Sequence, residues 1–288
     1  MSISDEKNPN QKFIRAAEIL TKAKPGTKIP EELVGIIKIA VGEDNVDFLE
    51  VFAEKTSFTM EELKESLKNK GIELTEDEIL AKVDFLAKNG VMMDQPTSQG
   101  VTIYRTLGIA RIFDYIFMRD VDADDDDIKQ LAKLQHDWME RRRESVQNKY
   151  DTYESAIDKV MPIDRTIVSS YENQNTGDEI EIIVDKTIET PQEMILPSQT
   201  VQEIIEKYDD IAVGNCYCRN HARVLEEPCE QTSLKETCFT FGKSARHTAK
   251  HGFSRLISKD EALEIFAKIR DDGLVHKVMH LRANPELR

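Results

Sequence analysis

Apolar residues recur at helical spacing through most of the first 160 positions, and the rhythm changes to alternation near Met161. The stretch 1–11 is polar and reads as loose. From Phe13 to about Leu49 the pattern predicts helices, FIRAAEILTKA and then ELVGIIKIAVG. Pro30 ahead of Glu31 and Glu32 marks the start of the second. VDFLEVFAEKT continues the apolar period. Thr59 with Glu62, and Thr75 with Glu78, form two capping boxes, each opening a helix that a glycine stops, Gly71 and Gly90. VMMD and VTIYRT flank QPTSQG and read as a hairpin.

Three helices followed by a hairpin, over 46–106, resemble a winged helix-turn-helix. Residues 107–120 predict a helix with a wide apolar face. Asp122–Asp127 is acidic but lacks the Gly and terminal Glu of a calcium loop, so it reads as the solvated start of a helix from Ile128. That helical stretch, 128–160, carries Trp138 and Arg141–Arg143, an ion-paired face. Beyond Met161, PIDRTIVSS and EIEIIVD alternate as strands around a turn at Asn173–Gly177. A loop and a helix capped near Ser198 follow, and IAVGN is a buried strand that delivers Cys216 and so places Cys216 and Cys218 at a strand end. CFTFGKSARHTAKHGF reads as a helix beginning at Cys238. Ser258 and Glu261 open another, which Gly273 ends, and Leu274, Val275 and Val278 form a strand or packed tail. The expected fold is α+β and mainly helical. It comprises a winged-helix-like domain at 1–120, a helical connector at 121–160 and a cysteine-bearing domain at 161–288.

Composition narrows the function classes. Hydrophobic residues make up 40%, enough for packed cores. No apolar run is long enough to span a membrane, and MSISDEKNPNQKF is not a signal peptide, so a cytoplasmic location is expected. The net charge is −15 but uneven. Residues 211–288 carry 13 basic and 10 acidic side chains, against 26 and 44 in the other 210 residues. The helix from Glu76 to Asn89 is net acidic and DQPTSQG has no cation, so nucleic acid is not an expected partner. There is no Gly-rich phosphate loop, no G-x-S-x-G and no H-E-x-x-H, so no catalytic residue is assigned.

The chemistry lies in the cysteines. All four, Cys216, Cys218, Cys229 and Cys238, fall within 23 positions. Four thiolates are the ligand set of an iron–sulfur cluster and of a closed zinc site. Disulfides or unpaired buried thiols are the other readings, and a reducing compartment disfavours disulfides. The spacing lacks the paired C-x₂₋₄-C of structural zinc, which favours a [4Fe–4S] cluster with zinc as the alternative. Around them stand Arg219, His221, Arg223, Lys235, Lys243, Arg246, His247, Lys250, His251 and Arg255. Arg219, His221 and Lys243 are the expected outer shell. A histidine replacing one cysteine, or Cys218 as a lone nucleophile, is a lesser alternative.

The segment from Cys216 to His276 resembles ferredoxin-related 4Fe–4S binding proteins of anaerobic archaea and bacteria. The shared elements are Cys216–Arg219, Pro228-Cys229, Cys238–Gly242, Gly252–Ala262 and Gly273–His276. The resemblance implies an iron–sulfur protein of an anaerobic cytoplasmic redox system, passing or sensing electrons, with a redox protein as partner. If enzymatic at all, it would be an accessory oxidoreductase subunit, and a homodimer is compatible. Such relatives often continue into a ferredoxin module with C-x₂-C-x₂-C-x₃-C-P runs; these are absent up to Arg288, so a single centre is expected. A redox-responsive winged-helix regulator and a zinc-stabilised interaction module are the competing readings.

Overall fold

The computed structural model describes residues 10–24, 26–97, 99–157, 164–167 and 201–279. The expected loose N-terminus, the strand EIEIIVD, the turn at Asn173–Gly177 and the cap at Ser198 lie outside the described residues. What is described is α+β and mainly helical, as the sequence predicts.

Helices α1 (Gln11–Thr21), α2 (Glu31–Val41) and α3 (Glu43–Leu49) build the first layer, and a 3-10 turn, Glu50–Ala53, follows. Strand β1 (Ser57–Phe58) leads into α4 (Met60–Asn69) and α5 (Glu76–Lys88). Both capping boxes form. Thr59 accepts from the Glu62 N–H and Thr75 from the Glu78 N–H, while each glutamate reaches back to its cap. Strands β2 (Met92–Pro96) and β3 (Thr102–Thr106) make the hairpin, and β1 pairs with β3, so the sheet order is β1-β3-β2. One core runs through this half, with Ile36, Ile37, Leu63, Ile79, Leu86 and Phe117 among its buried residues.

Helix α6 (Ala110–Met118) presents the predicted apolar face, and α7 (Asp126–Asn148) packs against α2. Asp125 caps α7 through the Ile128 N–H, so the acidic run is a helix start, as its composition suggests. The arginine triplet is spent within the fold: Arg141 binds Glu32 of α2, 109 positions away, Arg142 lies over Trp138 and Arg143 pairs with Glu140. Helix α8 (Tyr150–Ile157) and strand β4 (Asp164–Ile167) follow.

The cysteine-bearing half contains α9 (Val201–Lys207), β5 (Ile211–Asn215), α10 (Tyr217–Val224), β6 (Glu236–Phe241), α11 (Lys243–Lys250), β7 (Arg255–Ile257), α12 (Lys259–Asp271) and β8 (His276–Met279). Strand β5 is central in an antiparallel sheet of order β6-β5-β7, and β8 pairs with β4. Phe239 stacks on Phe266 of α12 at 4.2 Å between ring centroids. Ser258 caps α12 as expected, although Glu261 turns away to pair with Arg255.

Two expectations need correction here. The helix expected to begin at Cys238 begins at Lys243, because Thr237-Cys238-Phe239-Thr240-Phe241 alternates β-favouring residues and forms β6. Gly242, at φ +56°, makes the break between strand and helix. Cys218, expected with Cys216 at the end of a strand, instead lies in a helix: YCRNHARV is α10, and Cys216 is its N-cap. This helix joins the two halves. Asn220 Nδ2 donates to the Phe117 and Arg119 carbonyls at 2.8 Å each, and Asn215 donates to Arg119 at 2.9 Å. These side chains satisfy carbonyls that the end of α6 leaves open.

Candidate functional site

Strand β5 ends at Asn215 and Cys216 follows as the N-cap of α10, so Cys216 and Cys218 sit on the first turn of a helix. Cys238 lies opposite on β6, paired with Gly214. This crossing brings three thiols together: those of Cys218 and Cys238 both act on the Cys216 sulfur. Cys229 stands in the loop between α10 and β6 and also lines a cleft of about 220 Å³ with Cys216, Arg219, Asp120, Asn215 and Lys235.

Backbone N–H groups point at the sulfurs. The Arg219 N–H, third in α10, faces Cys216, where no oxygen cap is present. The Tyr217 N–H faces Cys238, and the Gln231 and Thr232 N–H groups face Cys229. The electrostatics follow. Cys216 is held far below the ordinary thiol value, first by the neighbouring thiols and then by the Arg219 N–H. Cys218 and Cys238 are pushed up, first because each shares with Cys216 a hydrogen bond that favours the charge on Cys216, and then by partial loss of solvent, although the Cys218 side of the trio stays open to solvent. Cys229 is lowered by its two backbone donors, with Arg219 adding to them.

The expected cationic shell is thinner than the sequence suggests. Arg219 faces both Cys216 and Cys229; its Nη2 donates to Thr237, and its Nη1 is buried without a partner. His221 turns away from sulfur, with Nε2 2.9 Å from the Ala132 carbonyl and its ring edge-on to Phe117. Its helix face packs on α7, so it is neither a ligand nor part of the sulfur surroundings. Lys243 is exposed at the start of α11 and does not line the cleft. Arg246 pairs with Asp210 and Arg255 with Glu236. The residues therefore fit a thiolate centre in part: Cys218 and Cys238 each approach Cys216, without all three sulfurs closing to within 4.8 Å of one another, and Cys229 shares a cleft with Cys216 alone.

A second constellation was not legible in advance. Asp94 of β2 meets His247 and His251 of α11. His251 Nε2 lies 2.7 Å from Asp94 Oδ1, His247 Nδ1 lies 3.7 Å from it, and Lys250 Nζ binds Oδ2. Among the described residues this is the only trio of His, Cys, Asp or Glu ligand atoms all within 4.8 Å of one another; the cysteine sulfurs do not close to that spacing. His247 is fully buried and neither ring nitrogen has a hydrogen-bond partner, an arrangement that costs about 1–3 kcal/mol. The H-x₃-H spacing was the only available signal; the aspartate comes from a hairpin some 150 positions earlier.

Burial alone would raise the Asp94 carboxyl, but His247, His251 and Lys250 hold it well below its ordinary 3.8. Burial lowers His247 below 6.5. Both shifts have the same sign for stability. A depressed carboxylate stabilises above 3.8 and loses that contribution as pH falls towards its folded value. A histidine buried neutral resists protonation as pH falls below 6.5. Thermal stability should therefore decline on acidification from pH 7, steepening below pH 4. Asp94→Asn should flatten the lower part of that decline in melts recorded across pH, and an unchanged profile would refute the assignment.

No protein-family model, curated protein or solved structure matches the chain.

Proposed function

We propose that the chain is an iron–sulfur protein holding a [4Fe–4S] cluster on Cys216, Cys218, Cys229 and Cys238, and that it transfers or senses electrons. The observation that carries this reading is the gathering of all four cysteines about the start of α10 and its cleft, with backbone N–H groups of Tyr217, Arg219, Gln231 and Thr232 near enough to act on the sulfurs. Thiols packed as small hydrophobes have no need of such donors. Thiolates do, and hydrogen bonds to sulfur set the potential of a cluster. When bound, the cluster supplies one-electron transfer at a potential that its protein surroundings tune. The chain's own part is to hold four sulfurs, to offset their charge with Arg219, and to cover them with α10 and β6. No electron-transfer partner is implied by name; the partner class is another redox protein.

The regulator reading remains second. A helix, a short strand, two helices and a hairpin are the parts of a winged helix, but α5 carries Glu76, Asp77 and Glu78 in its first turn. Phosphate contacts need cations there. Protein prepared without oxygen should be brown and contain about four iron and four sulfide per chain. Stoichiometric zinc without sulfide would favour the zinc module, and folded, colourless, metal-free protein would sink both.

A further inference from the structure

We propose that Asp94, His247 and His251 form a binding site for one divalent first-row transition-metal ion, separate from the cysteines. His247 and His251 are four residues apart and so share one face of α11, with ring centroids 4.7 Å apart. Asp94 projects onto that face from β2. Metal–nitrogen and metal–oxygen bonds of about 2.0–2.2 Å place tetrahedral ligand atoms roughly 3.3 Å apart. The present separations from Asp94 Oδ1, 2.7 and 3.7 Å, straddle that value, and all three ligand atoms already lie within 4.8 Å of one another.

The surroundings suit a ligand set. Lys250 holds Asp94 Oδ2, which orients the carboxylate and leaves Oδ1 facing the imidazoles. Tyr115 and Phe253 wall the rings, with Tyr115 5.6 Å from His247 between centroids. A simpler account makes Asp94 an ion-paired carboxylate serving Lys250 and His251. That account leaves His247 unexplained: a completely buried imidazole, turned to the carboxylate, with both nitrogens unpartnered. Coordination through Nδ1 gives it a partner. Two imidazoles and one carboxylate suit Zn²⁺, Fe²⁺ or Co²⁺, whereas Ca²⁺ and Mg²⁺ prefer oxygen alone. The ion would tie the hairpin to α11 across the two halves of the molecule.

The test uses the full chain, freed of metal by chelation, in wild-type form and as Cys216→Ser/Cys238→Ser. Titration with Zn²⁺ should show one equivalent bound in the cysteine variant, with a raised melting temperature in both forms. Co²⁺ bound there should give weak d–d bands without thiolate-to-cobalt charge transfer. Asp94→Asn and His251→Gln should each weaken this binding more than about 100-fold, beyond the 10–100-fold cost of losing an outer-shell partner. They should leave thiolate-bound metal in place. Should the cysteine variant not fold, the matter is decided by the Zn²⁺-dependent rise in wild type, which Asp94→Asn should reduce by the part due to this site, and by the bound zinc, which should fall by one equivalent per chain in Asp94→Asn. An unaltered rise in Asp94→Asn, or metal confined to the thiolates, overturns the proposal. The difference between wild type and Asp94→Asn cancels whatever the cysteines bind, so this test and that of the thiolate centre can fail separately.

Discussion

Cys216→Ala is expected to abolish retention of the thiolate centre, while Arg219→Gln keeps it and lowers its midpoint potential. Cys216 is the sulfur that the other two converging thiols contact, and it also receives the Arg219 N–H. If the proposed centre is correct, removing it takes away a ligand and the thiol that Cys218 and Cys238 both approach. Metal-binding energy is folding energy in such sites, on the order of 10–16 kcal/mol for structural zinc in small peptides, so the domain should lose stability with its metal. On the same proposal Arg219 supplies charge without ligating. Its guanidinium faces Cys216 and Cys229. A nearby positive charge favours the reduced, more negative state, so glutamine should lower the potential. Iron content, sulfide content and anaerobic voltammetry measure these effects. Equal metal loss in both variants would mean that Arg219 is structural; no loss in either would mean the cysteines hold no metal.

Gly214→Val should destabilise the folded chain by more than about 3 kcal/mol, the upper end of ordinary overpacking. Gly214 lies in the central strand β5, two residues before Cys216. A Cβ there would meet the Phe253 carbonyl at 2.7 Å, Met118 Cε at 3.0 Å and the Met118 carbonyl at 3.1 Å. Two of these three atoms are backbone and cannot rotate aside. Relief would require β5 to move away from the end of α6, carrying the first cysteine with it. Gly108→Ala is the control, since nothing lies within 4 Å of its added Cβ. Urea unfolding of both variants decides the point, and a Gly214→Val midpoint equal to that of the control would contradict it.

What the sequence could reveal depended on the range of the signal. Thr59 with Glu62 and Thr75 with Glu78 are read correctly because a capping box needs only four neighbouring residues. The placement of Cys216 at a strand end is legible for the same reason: IAVGN is short, apolar and followed by a break. Cys238 reads locally as a helix start because the helix-like KSARHTAK lies only five residues downstream, whereas the strand pairing with β5 that decides the matter is non-local. His221 carries no local mark of the Ala132 carbonyl it contacts. Asp94 looked like an ordinary hairpin residue, and only the docking of α11 on β2 reveals its role.

The position of α10 limits how this molecule can be divided by surgery. Val224 belongs to the main core of the helical half, with Tyr217 and Leu225 packed against it, while the same short helix starts at the sulfurs. A fragment cut at the sequence-suggested boundary near residue 160 would lose that wedge. The N-terminal piece would expose the apolar surface beneath Val224 and leave the Phe117 and Arg119 carbonyls without their asparagine donors. The C-terminal piece would present the matching face to solvent. Each fragment would therefore tend to aggregate or to seek its counterpart, and mixing the two should restore solubility that neither has alone.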